Sequence, residues 1–171
     1  MAAKADDEYV SPSSPAGYLM WHIIKKGWQA GSVVGVAAVL PTMYLIRKVR
    51  DPTALLRALG YSAAIGTAAT GTLGVLKCTQ IDQEGFEDRA YRLHYNQGQN
   101  RTDAFSAAGA AVGLAAAALL LPRGAPPLSY AMAAAGVSAV GTALGVAAHV
   151  ASSSSSSSSS RTAAVAAQQP A

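Results

Sequence analysis

The sequence predicts an all-α membrane protein, four transmembrane helices in a small-residue-packed bundle with polar tails, and three observations carry that prediction. No Asp, Glu, Lys or Arg occurs from Gly27 to Ile46, Ala58 to Leu76, Ala104 to Leu121 or Leu128 to Ala148. Each run holds about 18 to 21 residues, which at about 1.5 Å rise per residue approaches the ~30 Å hydrocarbon thickness. Small residues recur at four-residue spacing: Gly27, Gly31 and Gly35; Gly66, Thr70 and Gly74; Gly109 and Gly113; Gly141 and Gly145. This spacing lines small side chains along one helix face, so two backbones can approach and pack by dispersion where lipid offers no hydrophobic drive. Finally, the runs lack the charged stripe at helical period that a soluble Ala-rich bundle would carry.

Each element has a local cause in the chain. Residues 1–17 form a polar tail, because Ser11-Pro12-Ser13-Ser14-Pro15 disfavours a helix. The four-helix domain occupies residues 18–150, and its entry mixes Tyr18, Trp21 and Trp28 with His22, Lys25 and Lys26, a composition suited to the membrane interface. The first span covers about 27–46, with Pro41 kinking its far end. Arg47, Lys48, Arg50 and Arg57 make the first connection basic, and Asp51-Pro52 starts the second span at about 58–76. The second connection, Lys77 to Asp103, carries both signs. Within it Gln83 to Tyr95 reads as a surface helix placing Phe86, Ala90, Leu93 and Tyr91 on adjoining positions, ended by Asn96-Gln97-Gly98. Asp103 then caps the third span at about 104–121. The turn Pro122 to Pro127 pairs it antiparallel with the fourth, at about 128–148. Residues 151–171, with a nine-serine run, read as a low-complexity Ser/Ala tail too polar to bury a core and expected to be disordered.

The same residues restrict the chemistry. A net charge of +4 over 171 residues, scattered along the chain, does not suggest a nucleic-acid footprint. A single cysteine, Cys78, excludes an internal disulfide and gives no cysteine-ligated metal site. The charge-free runs hold no intramembrane Asp, Glu, Lys or Arg, and the only histidine near them is His149 at the end of the fourth, which argues against a proton channel or coupled transporter acting alone. His149 and His22 read as interfacial side chains. The glycines recur inside apolar spans without a following Lys-Ser/Thr pair, so no phosphate-cradling loop is present. No catalytic, cofactor-binding or metal residue is therefore expected, and no cofactor.

Two sets of residues remain as working surfaces. Gly27, Gly31, Gly35, Gly66, Gly74, Gly109, Gly113, Gly141 and Gly145 are expected to pack helices. Arg89, Tyr91, Arg92, His94, Tyr95, Arg101 and Asp103 form the densest polar candidate, rich in the Arg and Tyr that docking surfaces favour but without a nucleophile, base and orienting partner. Ala and Gly gain little from lipid, so the chain is expected to lean on membrane subunits of a larger complex and on lipids rather than to act as a monomer. Asp6, Asp7 and Glu8 are acids that a cleavable mitochondrial presequence avoids, so any import signal is expected to be internal. Four basic residues in the short first connection favour placing that connection in the matrix-like compartment.

Gly27-x3-Gly31-x3-Gly35, the stretch Ala63 to Gly71, and Arg101 to Gly113, where a charged connection leads straight into a small-residue helix, together resemble the mitochondrial inner-membrane translocase (Tim-type) superfamily. Within it the chain is most similar to the four-helix membrane accessory subunit of respiratory complex I. The likeness is architectural and spans roughly residues 18 to 150. It departs from the pattern at the cysteine pair that often staples such bundles, since Cys78 stands alone. The resemblance implies a multi-pass protein of the mitochondrial inner membrane, without an active site of its own, that braces or bridges larger subunits of an electron-transport complex. A translocase or channel component is the alternative, with Ser62, Thr67, Thr70 and Thr72 of span two as lining hydroxyls.

Overall fold

A computed structural model describes residues 11–122 and 124–166, the side chains only as far as Ser154 within the last helix. The described residues are all-α, with five α-helices: α1 (Pro15–Val34), α2 (Pro52–Cys78), α3 (Gln83–Tyr95), α4 (Gln97–Leu120) and α5 (Pro127–Ala166). Residues 1–10, Arg123 and the last residues of the tail, 167–171, lie outside the described residues.

Local chemistry sets the helix starts. Ser14 caps α1 by accepting a hydrogen bond from the Gly17 amide, and Pro15 supplies a fixed φ where the amide would be unsatisfied anyway. Asp51 and Pro52 do the same for α2, with the carboxylate accepting from the Thr53 and Ala54 amides. Asp82 caps α3 by accepting from Gly85, and Asn96 caps α4 by accepting from Gln99. Asn96→Ala should therefore destabilise the protein by about 1 kcal/mol, read from thermal unfolding in detergent.

Pro41 does not end the first helix. Its ring excludes a normal turn, and the chain accommodates it between two π-helical segments, Gly35–Val39 and Thr42–Ile46, in which the Leu40 amide reaches Gly35 and the Arg47 amide reaches Thr42. Lys48 then takes φ 55° and the Val49 amide donates back to the Met43 carbonyl at 3.0 Å, closing the helix end. The Arg50 guanidinium lies 3.8 Å over the Tyr44 ring.

α1 and α2 pair antiparallel, as do α4 and α5, and α5 joins the pairs by running parallel to α2. Every glycine of the expected packing set lies against a neighbouring helix. An added Cβ at Gly31 would sit 2.6 Å from the Ser62 carbonyl oxygen, at Gly66 2.7 Å from the Gly27 carbonyl oxygen, and at Gly113 2.6 Å from the Val137 carbonyl oxygen. Gly27 would strike Thr70 and Gly66, Gly109 and Gly141 would strike each other's carbonyls, and Gly145 would strike that of Phe105. Gly35 and Gly74 face side chains instead, of Ser62 and Ile23. Gly60 and Gly136, which fall outside the four-residue spacing, make the α2–α5 crossing by meeting Met132 and Leu56.

Side-chain size is inverted relative to a water-soluble bundle. Among the described residues the buried apolar positions are Leu59 and five alanines, whereas Leu119, Leu120, Ile46 and Val112 point outward at 81, 78, 76 and 69 % exposure. Small residues inside and bulky aliphatics outside suit a lipid surround, in which large side chains gain nothing from the interior. Among the described residues three helical stretches are long and apolar enough to cross a membrane: Pro15–Ile46, Gln97–Leu120 and Pro127–Ser154.

Two sequence expectations need correction, and a third is met in part. Gln97 and Gly98 open α4 instead of ending α3, because Asn96 serves as the cap, so Asp103 is not an N-cap but lies inside the helix. The expectation of four spans is met at the level of three, since the α2 run is diluted by Gly, Ser and Thr. The serine run does not break the structure at residue 151, for α5 continues to Ala166. Ser152 and Ser153 donate to the His149 carbonyl at 2.8 and 2.9 Å, and Ser154 to that of Val150. The serines thereby turn their hydroxyls back onto the helix that precedes them.

Candidate functional site

His22, Lys25, Lys26 and Gln29 are spaced i, i+3, i+4 and i+7 on α1, so they form one polar stripe. Asp103 and Ser106, one turn apart on α4, face it. Asp103 accepts from Lys25 Nζ at 2.9 Å, Lys26 Nζ at 2.5 Å and Gln29 Nε2 at 2.9 Å, while His22 Nδ1 lies 3.5 Å away. Gln29 is 8 % exposed, and its remaining groups are also used: Nε2 reaches Ser106 Oγ at 2.7 Å, and Oε1 accepts from Lys26 at 3.0 Å. Ser106 Oγ in turn lies 3.0 Å from the Asp103 carbonyl oxygen. A half-buried carboxylate is tolerated beside an apolar span because two ammonium groups and an amide saturate it.

Below this cluster α1 and α4 stand apart and leave a crevice of about 330 Å³. Its walls are Trp21, Ile24, Trp28, Ala107 and Ala110, and its floor includes Thr67 of α2 and Thr142 of α5. Trp28 Nε1 donates to Thr142 Oγ1 at 3.0 Å, fixing the indole against α5.

The sequence-derived docking set divides. Asp103 turns inward, its side chain 10 % exposed, where Lys25, Lys26 and Gln29 of α1 donate to it. Arg89, Tyr91, Arg92, His94 and Tyr95 stay on the exposed faces of α3, and Arg101 on α4. Ala90 is buried, and Phe86 and Leu93 are half-buried, so the expected apolar face of α3 holds it against α1; Tyr91 instead lies outside that face. Arg92 pairs with Asp88 at 3.0 Å one turn away, an exposed contact of a few tenths of a kcal/mol. The Tyr91 and Tyr95 rings meet at a tilt of 56°, their centroids 4.8 Å apart. His149 packs on Phe105 at 5.6 Å, and Cys78 is half-buried at the end of α2. Among the described residues no group of three or more His, Cys, Asp or Glu side chains is placed to hold a metal ion.

Sequence reasoning missed Lys25, Lys26 and Gln29 as ligands of Asp103. The signal available was the i, i+3, i+4, i+7 polar stripe, which a purely interfacial reading treats as wet lysines.

Three long apolar helices, packed through glycines and tied by an ion-paired cluster at one end, define a multi-pass helical membrane protein. The chain belongs to the family DUF1757, described as a protein of unknown function, which matches residues 6–153. No curated protein and no solved structure matches it.

Proposed function

We propose that this chain is a non-catalytic structural subunit of a larger membrane assembly, bracing or bridging bigger membrane subunits, and that the assembly is complex I of the mitochondrial inner membrane. The observation that supports the structural role is the division of the surface. Glycine contacts fill the interior, and internal hydrogen bonds use most of its polar groups, the buried Ser32 hydroxyl excepted, leaving bulky aliphatics and the Arg/Tyr-bearing α3 to face outward. Such a body offers neighbours a dry flank and a polar cap, and its Ala- and Gly-rich helices need those neighbours to stay anchored. In this reading α2 is a fourth crossing. It is 27 residues long and packs along α1 and α5. The choice of complex I rests on the sequence resemblance alone.

The hydroxyls that a channel would need at its lining are engaged elsewhere. Ser62 donates across to the Gly31 carbonyl, and Thr67, Thr70 and Thr72 donate to carbonyls one turn back, all at 2.9 Å. That favours packing over conduction. Native electrophoresis of mildly solubilised membranes with mass spectrometry tests the reading. Comigration with complex I is expected; comigration with import machinery, or migration as a free chain, would overturn it.

A further inference from the structure

We infer that the crevice between α1 and α4 is a binding site for one anionic phospholipid, its acyl chain between Trp21, Ile24, Trp28, Ala107 and Ala110 and its phosphate on Lys25, which lines the crevice, with the Lys26 ammonium adjoining through their shared carboxylate, Asp103. This goes beyond the structural role proposed above and does not depend on which assembly the chain joins.

Two features of the crevice point to one occupant. First, its body is apolar and lies between two membrane-spanning helices, where the medium around the spans is lipid tails. Second, the charge at its mouth is unbalanced. Lys25 and Lys26 share the single carboxylate of Asp103, leaving one positive charge in excess even with His22 neutral. An ammonium carries three donors. Lys25 uses one on Asp103, and Lys26 uses two, on Asp103 and Gln29, so donors remain on both side chains for a further anion. Lys25 and Lys26 are 37 and 30 % exposed, which leaves those donors reachable from the interface. A zwitterionic headgroup brings its own cation to the same place and gains less. An anion without a tail leaves the apolar walls unfilled.

Trp21 and Trp28, which line the crevice, are the only tryptophans in the chain; Trp21 is also 60 % exposed to the surround, so the site is read from the difference in quenching between two brominated lipids. The full chain is reconstituted in nanodiscs of dioleoylphosphatidylcholine carrying a small, equal fraction of brominated phosphatidylglycerol or brominated phosphatidylcholine. Brominated phosphatidylglycerol should quench as though enriched roughly fivefold at the crevice, the preference expected from about one net basic charge near the surface. Lys25→Gln should remove the preference and Lys25→Arg should keep it. Ala110→Leu should lower quenching by both lipids, because the added side chain occupies the space of the tail. Arg47→Gln, in the basic connection at the opposite end, should change nothing. Equal quenching by the two lipids in the unmodified chain would overturn the inference whether or not any variant folds. Loss of the preference in Arg47→Gln, or its abolition by millimolar inorganic phosphate, would also overturn it, the latter by showing a site for the free anion alone.

Discussion

Leucine in place of Gly109 should prevent α4 and α5 from closing on each other. The Cβ alone would strike the Gly141 carbonyl, which belongs to a helix backbone and cannot swing aside as a flexible side chain would. Overpacking of a well-packed interior typically costs 1–3 kcal/mol, and a backbone-on-backbone clash belongs at or above the top of that range, about 3 kcal/mol. Equilibrium unfolding in mixed micelles reads the loss. Gly71 provides the control, since nothing lies within 4 Å of a Cβ built there; Gly71→Leu should change stability by no more than about 0.5 kcal/mol. If both leucines cost the same, close backbone approach does not hold the bundle together. In membranes, Gly31→Leu and Gly113→Leu should likewise fail to enter the native assembly.

The second large effect is expected at Asp103. Asp103→Ala removes the acceptor shared by Lys25, Lys26 and Gln29 and leaves two ammonium groups facing each other at the edge of an apolar span. Breaking a buried ion pair by deleting one partner costs 3–5 kcal/mol, and the partial exposure of the lysines brings the expected loss to about 2–3 kcal/mol. Lys25→Ala should cost less, because Lys26 still satisfies the carboxylate. Replacing the three together by apolar residues of similar size, Lys25→Met, Lys26→Met and Asp103→Leu, should restore most of the stability. Should the single and triple variants prove equally unstable, the cluster's role would be geometric rather than electrostatic.

The contrast between these two sites explains what the sequence makes legible. Glycine contacts repeat every four residues along each partner, so Gly27, Gly31 and Gly35 announce a packing face without knowledge of the other helix. The α3 boundaries are equally local, fixed by Asp82 and Asn96. Asp103 depends on residues 74 to 78 positions away; the periodic polar stripe of His22, Lys25, Lys26 and Gln29 lies wholly on α1 and does not name its partner, and the local context of Arg101, Thr102 and Asp103 reads as a loop end. The start of α4 at Gln97 rests on the balance between Asn96 as a cap for α4 and Asn96 as a stop for α3. Composition favours neither. Gly60 and Gly136 were hidden for a related reason: where α2 packs on α5 each helix contributes one closely approached glycine, which leaves no repeat to read.

The inverted distribution of side-chain size has a consequence for how this chain tolerates change over generations. In a water-soluble protein the surface drifts freely in polarity while the interior resists loss of volume. Here the interior resists gain of volume. At Gly66, Gly141 or Ala139, a single added methyl group is the damaging event, whereas Leu119, Leu120 and Val112 can exchange among aliphatic and aromatic types as long as they stay apolar. A saturation scan should therefore record its sharpest losses at the smallest residues of the chain, and the bulky outward positions should accept every large apolar side chain but no charge.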